Sequence, residues 1–221
     1  MPTPTSLVTT VDGHTFARVD GSGAPGPTWV LLHGSDGSEL DLLPLAERLA
    51  PSATKIAPRG TVRTTGGYAH FRRRADLYPV EEDLMARIEP LMSLVTAAQA
   101  GASTEVPGRA VVMGFSNGAI MAAALLERHP ERFAAGILLR PRAPFRADPA
   151  PVASSVPVLL LEGRDDARRT RDDGLIVADR LRSGGASVTH LVLPVTHRVT
   201  RSDERAVSEW LSELPADDAR R

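Results

Sequence analysis

Along the chain, short continuous apolar runs alternate with longer stretches in which apolar residues recur every three or four positions. Each change of rhythm falls at glycine, proline or a polar cluster. The runs at 28–32, 110–113, 133–139 and 158–161 predict strands, most of them covered on both faces as in parallel sheets, and 53–57 and 187–193 predict two further strands. Helical spacing at 40–49, 81–100, 116–128, 175–182 and 204–214 predicts the intervening helices. Alternation at 7–11 and 15–19 around Asp12-Gly13 predicts an opening hairpin at a sheet edge. Loops are expected at 21–27, at the aperiodic stretch 61–78, and at the proline- and arginine-rich connection 140–156, which is too short for a large cap domain. The sum is an α/β fold: a mostly parallel central sheet with helices on both faces, in one domain over 1–214 with a disordered tail at 215–221.

Within this pattern one junction stands out. The strand 110–113 runs into the helix after it through Gly114-Phe115-Ser116-Asn117-Gly118. A serine at a sharp strand-to-helix turn, with glycines two positions before and after, stands exposed above the sheet edge. It also lies beside the unpaired N–H groups and positive dipole end of the helix, which favour a developing oxyanion. Ser116 is therefore the candidate nucleophile.

Composition narrows the chemistry. A 221-residue chain with 42% hydrophobic residues can bury roughly 70 to 75% of its unfolded surface and needs no staple to fold. It has no cysteine, which excludes disulfides, thiolate metal sites and a cysteine nucleophile. The net charge is −1, from 26 basic and 27 acidic residues mixed along the chain, so no field advertises a nucleic-acid partner. The run Arg72-Arg73-Arg74 reads as a solvated face, or as partners for Glu81, Glu82 or Asp83. No stretch approaches the ~18 apolar residues of a membrane span, and no leader pattern opens the chain, so the expected location is cytoplasmic. There is no GxGxxG or Walker loop and no metal-ligand spacing; no cofactor or metal is implied.

A base and an orienting acid are available for Ser116. Asp165 and Asp166 follow the strand 158–161, and His197 follows the strand 187–193, so both leave the same sheet edge as the serine. The order Ser, Asp, His is the one expected of an α/β-hydrolase. His14, His129 and His190 fall on a hairpin, a helix end and a strand, whereas His70 lies in the long loop and could line a site. The loop His33-Gly34-Ser35 reads either as a glycine turn or as the source of a second backbone N–H, that of Ser35, to join the N–H of Asn117 in an oxyanion hole.

Together these residues resemble the phospholipase/carboxylesterase branch of the α/β-hydrolases, which includes acyl-protein thioesterase-like and bacterial carboxylesterase-like enzymes. The resemblance spans nearly the whole chain. It is carried by Leu31-Leu32-His33-Gly34 with Glu39 and Asp41, by Ala57-Pro58-Arg59-Gly60, by the elbow 114–119, by Gly163-Arg164-Asp165-Asp166 and by Thr196-His197-Arg198-Val199-Thr200. It implies Asp166 rather than Asp165 as the acid. Two positions depart from the branch. Charged, proline-free Ala167-Arg168-Arg169-Thr170 stands where an apolar pair and a proline are usual, altering the packing beside the acid and the substrate entrance. Thr196 stands where glycine commonly precedes the histidine.

The resemblance implies a serine hydrolase with Ser116, Asp166 and His197 as catalytic residues and Ser35 and Asn117 as oxyanion donors. It would cleave a small to medium ester or thioester through an acyl-enzyme, as a monomer or homodimer. Phe71, Arg72, Arg142 and Phe145 are the expected substrate-binding rim. Two alternatives stay open: acyl transfer or cyclisation by the same triad, and a non-catalytic binding protein retaining the fold.

Overall fold

In the computed structural model of the chain, the described residues are 7–11, 14–22, 27–100, 108–147 and 155–214. The Asp12-Gly13 turn, part of the 21–27 loop, part of the 140–156 connection and the tail at 215–221 lie outside them.

The apolar runs become strands of an eight-stranded sheet. Its strands are β1 (Leu7–Val11), β2 (His14–Val19), β3 (Trp29–Leu32), β4 (Lys55–Pro58), β7 (Ala110–Phe115), β8 (Phe133–Leu139), β9 (Pro157–Gly163) and β10 (Ser187–Leu193), in the order β1-β2-β4-β3-β7-β8-β9-β10. From β4 to β10 every pairing is parallel. The opening hairpin adds two antiparallel pairings at one edge, as its alternation predicts. The long connection after β4 carries a second, two-stranded sheet of β5 (Val62–Arg63) and β6 (Tyr68–Ala69), which periodicity does not reveal because each strand is a single pair of residues.

Among the described residues four α-helices connect strands, α1 (Leu43–Leu49), α2 (Glu81–Ala100), α3 (Asn117–Arg128) and α4 (Asp173–Ser183), and α5 (Arg201–Glu213) follows the last strand. Alternation along each inner strand sorts its side chains between two apolar layers. Val30, Val112, Leu138 and Leu160 face α2, α3 and α4, while Leu31, Met113, Ile137 and Leu161 face α1 and α5. Each such side chain, buried nearly completely, contributes about 1.5–3 kcal/mol.

Two helix starts differ by three residues from the sequence expectation, both for local polar reasons. Helix α1 begins at Leu43 because Ser38 and Asp41 close a turn first, Ser38 Oγ donating to Asp41 Oδ1 at 2.9 Å. Helix α5 begins three residues early, capped where Asp203 Oδ2 accepts the Thr200 N–H at 2.8 Å. Among the described residues no helix is long and apolar enough to cross a membrane.

Because β3, β7, β9 and β10 run parallel, the loops after them open at one sheet edge. Those loops carry Ser35, Ser116, Asp166 and His197.

Candidate active site

Ser116 sits between β7 and α3 with φ 53° and ψ −107°, a strained conformation for a residue with a side chain. The turn fits only because its flanking glycines lack side chains. A Cβ on Gly114 would lie 2.4 Å from the Gly118 carbonyl oxygen, and one on Gly118 would lie 1.9 Å from that of Leu32. The strained backbone is held where the Ser116 N–H donates to the Leu139 carbonyl at 2.9 Å.

From Ser116 a hydrogen-bonded chain runs through His197 to Asp166. His197 Nε2 is 2.8 Å from Ser116 Oγ, and His197 Nδ1 is 2.7 Å from Asp166 Oδ2. The carboxylate accepts a hydrogen bond from Nδ1–H, which leaves the Nε2 lone pair to accept the serine O–H. Asp166 is buried, and its Oδ1 accepts the Arg168 backbone N–H at 2.8 Å. Asp165 is exposed and pairs loosely with Arg164. Burial lowers the pKa of His197, the bond to Asp166 raises it, and the charges of Arg169 and Arg168 lower it again; the net direction is down.

The His197 loop is tethered by Arg140, a residue at φ 56° that follows β8. Its guanidinium is fully buried and donates to the carbonyls of Thr196 and Arg198, the two neighbours of His197, at 3.1 and 3.0 Å. A fork to Asp203 at 2.7 and 3.0 Å and a longer bond to the Leu161 carbonyl at 3.4 Å complete its partners.

On the other flank, His33 ties the loop after β3 to the segment after β4. Its Nε2 accepts the Gly60 N–H at 2.9 Å, so Nδ1 carries the proton donated to the Gly34 carbonyl at 2.7 Å. Burial holds His33 below the usual histidine pKa and His70, stacked 4.5 Å away, far below it. Ser35 follows in this loop, and among the described residues its buried Oγ has no hydrogen-bond partner. Asn117 opens α3, where backbone N–H groups have no intrahelical acceptor. Its side chain reaches away, Oδ1 accepting the His70 N–H at 2.7 Å and Nδ2 donating to the Phe71 carbonyl at 3.4 Å.

The four expected rim residues are placed differently. Phe71 and Phe145 are only 1% and 6% exposed and belong to the apolar layer against α2 and α3, because large aromatic side chains gain more from that layer than from an open rim. Arg72 is exposed and paired with Asp83, and Arg142 is buried in a fork to Asp173 at 2.9 and 3.0 Å.

Sequence reasoning passes over Arg140 and over Arg169 as a neighbour of the serine. Arg169 Nη2 lies 3.4 Å from Ser116 Oγ. The charged segment after Asp166 is the one signal that points to it. Beside His197 an open cleft of about 730 Å³ is walled by Leu42, Leu45, Phe115, Arg168 and Val199.

The chain is 31% identical over 184 residues to MhqD of Bacillus subtilis (strain 168), a protein that carries a hydrolase name; the match covers 83% of this chain and 92% of that one. The solved structure of the Bacillus cereus carboxylesterase superposes with a TM-score of 0.84 at 30% identity, over 91% of this chain and 95% of the other. The chain belongs to the carboxylesterase family of the α/β-hydrolases. A carboxylesterase from Mesorhizobium loti is similar too, with a TM-score of 0.82 and 26% identity over 95% of this chain and 99% of that one. No family model matches the sequence. As a carboxylesterase-family protein the chain is a hydrolase of carboxylic esters.

Proposed function

We propose that ester cleavage proceeds through an acyl-enzyme on Ser116, in an open cleft that takes small to medium esters or thioesters. The observation that carries this reading is the chain Ser116–His197–Asp166, with contacts of 2.8 and 2.7 Å, anchored at a strained elbow.

Ser116 Oγ attacks the ester carbonyl as its proton passes to His197 Nε2, and Asp166 stabilises the imidazolium so formed. The carbonyl oxygen becomes an oxyanion held by the backbone N–H groups of Ser35 and Asn117. Collapse breaks the bond to the leaving alcohol or thiol, which takes the proton from His197. Water, deprotonated by the same histidine, then attacks the acyl-enzyme and releases the acid, restoring Ser116. The lowered pKa of His197 keeps its base form populated at neutral pH.

Mass spectrometry after exposure to a fluorophosphonate tests the nucleophile. The expected adduct lies on Ser116 and is missing from Ser116→Ala; labelling that persists in the variant overturns the assignment.

A further inference from the structure

The mechanism assigns no substrate contact to Arg73, Arg142, Arg168 or Arg169, yet Arg169 lies beside Ser116 and feels the like charges of Arg142 and Arg73. Arg169 is the one in contact with the serine. Its Nε donates to the carbonyls of Arg140 and Pro141 at 2.9 and 3.0 Å, its Nη1 to that of Arg168 at 3.1 Å, and its Nη2 to Ser116 Oγ at 3.4 Å. Burial, and then the charges of Arg142 and Arg73, lower its pKa to about 10 against the pull of Asp173 and Asp166, so it stays a cation at neutral pH.

Three arginines with buried side chains are forked to a carboxylate: Arg140 to Asp203, Arg142 to Asp173 and Arg180 to Glu127. Arg169 differs. Among the described residues it has only carbonyl and hydroxyl partners, because the carboxylates near it are committed, Asp166 to His197 and Asp173 to Arg142. Arg73, more exposed, feels burial first, then the opposing charge of Asp36, then the like charges of Arg168 and Arg142. Arg168 lines the cleft beside His197. A partly buried cation among like charges, without a counter-ion of its own, is costly unless a ligand supplies the opposite charge.

We propose that the ester hydrolysed here carries a carboxylate on a short spacer from the reacting carbonyl, and that Arg169, backed by Arg73 and Arg168, binds it. The inference rests on the reading of Ser116 as the nucleophile. A carbonyl poised for attack lies roughly 3–3.5 Å from Oγ. A guanidinium nitrogen 3.4 Å from the same oxygen therefore reaches groups only a few bonds from that carbonyl. The reaction is ordinary hydrolysis: ester and water give acid and alcohol, and a carboxylate on the acyl side makes the product a dicarboxylate.

Two matched pairs test it. Ethyl hydrogen succinate against ethyl butyrate places the charge on the acyl side; 4-acetoxybenzoate against phenyl acetate places it on the leaving side. In one pair the charged member is expected to have a kcat/KM about tenfold higher or more, with the preference shrinking as potassium chloride is added. Arg169→Gln is expected to collapse that ratio chiefly through KM, and Arg169→Lys to keep part of it. Arg73→Gln, at an exposed position, lowers the ratio in the same direction and serves should Arg169→Gln fail to fold.

Fluorophosphonate labelling of Ser116 with no preference in either pair overturns the anion proposal and leaves the nucleophile in place. So does a preference for the charged ester that neither Arg169→Gln nor Arg73→Gln diminishes. Absence of labelling with turnover intact in Ser116→Ala overturns the nucleophile, and the anion proposal with it.

Discussion

Arg140 and Arg169 flank the same hydrogen-bonded chain, Arg140 at the His197 loop and Arg169 at the Ser116 hydroxyl, and the fold treats them in opposite ways. Arg140 is wholly buried, yet every side of its guanidinium is met: two loop carbonyls, the Leu161 carbonyl and the fork to Asp203. Arg169 is less buried but meets no carboxylate among the described residues. Pairing, rather than depth, separates an arginine that builds the site from one kept for what enters it. A buried charge with a complete set of partners fixes its surroundings, and a charge without one keeps its capacity to bind.

Both regions serve the serine, so the largest expected effect comes from removing it. Ser116→Ala is expected to lower kcat on the order of 10⁶-fold, measured with a chromogenic ester, while leaving the melting temperature little changed. Breaking the Arg140 side comes next. Arg140→Met leaves Asp203 buried without its fork and is expected to cost about 3–5 kcal/mol in denaturant unfolding, with kcat reduced as the His197 loop loses its tethers. Arg169→Met is expected to leave unfolding much closer to wild type; equal losses in the two variants would erase the contrast.

Smaller is Asn117→Ala. It removes two bonds to the 61–78 connection and is expected to cost about 1–2 kcal/mol in stability, with faster proteolysis of that connection as the second readout. The smallest effect is electrostatic. The proposed mechanism requires the base form of His197, so kcat/KM is expected to fall as pH drops through its pKa, with this acidic limb below the ordinary histidine value of about 6.5. Arg169→Gln deletes a charge that opposes protonation of His197, so the limb is expected to move to higher pH. A limb that stays in place would mean that Arg169 does not act on His197.

Much of this architecture is legible in the chain because its determinants are local. Runs such as 133–139 leave no polar face, so they read as strands covered on both sides, and β8 is buried along its whole length. The elbow is legible because Gly114 and Gly118 are required by contacts within a few residues of Ser116 or with the adjacent strand. The parallel run of β7, β9 and β10 sends Ser116, Asp166 and His197 to one edge.

What is not legible depends on distant pairs. Arg140 and Asp203 are 63 residues apart, and nothing near either names the other. Phe71 and Phe145 look like rim residues in loop sequence, yet the loops fold their aromatic side chains inward. The arginines after Asp166 are visible as a break in the family pattern, but only the fold brings Arg169 beside the serine.

The bonds from Asn117 to the loop have one more consequence. They end on backbone atoms, the N–H of residue 70 and the carbonyl of residue 71, so the anchor is written in the helix and not in the loop's own side chains. The exposed positions just beyond it, including Arg73, can therefore be exchanged without loosening the attachment to the elbow. On the anion proposal, selectivity can be re-cut at Arg73 while the strained turn keeps its shape, which makes the 72–74 segment the place to begin when altering what the enzyme accepts.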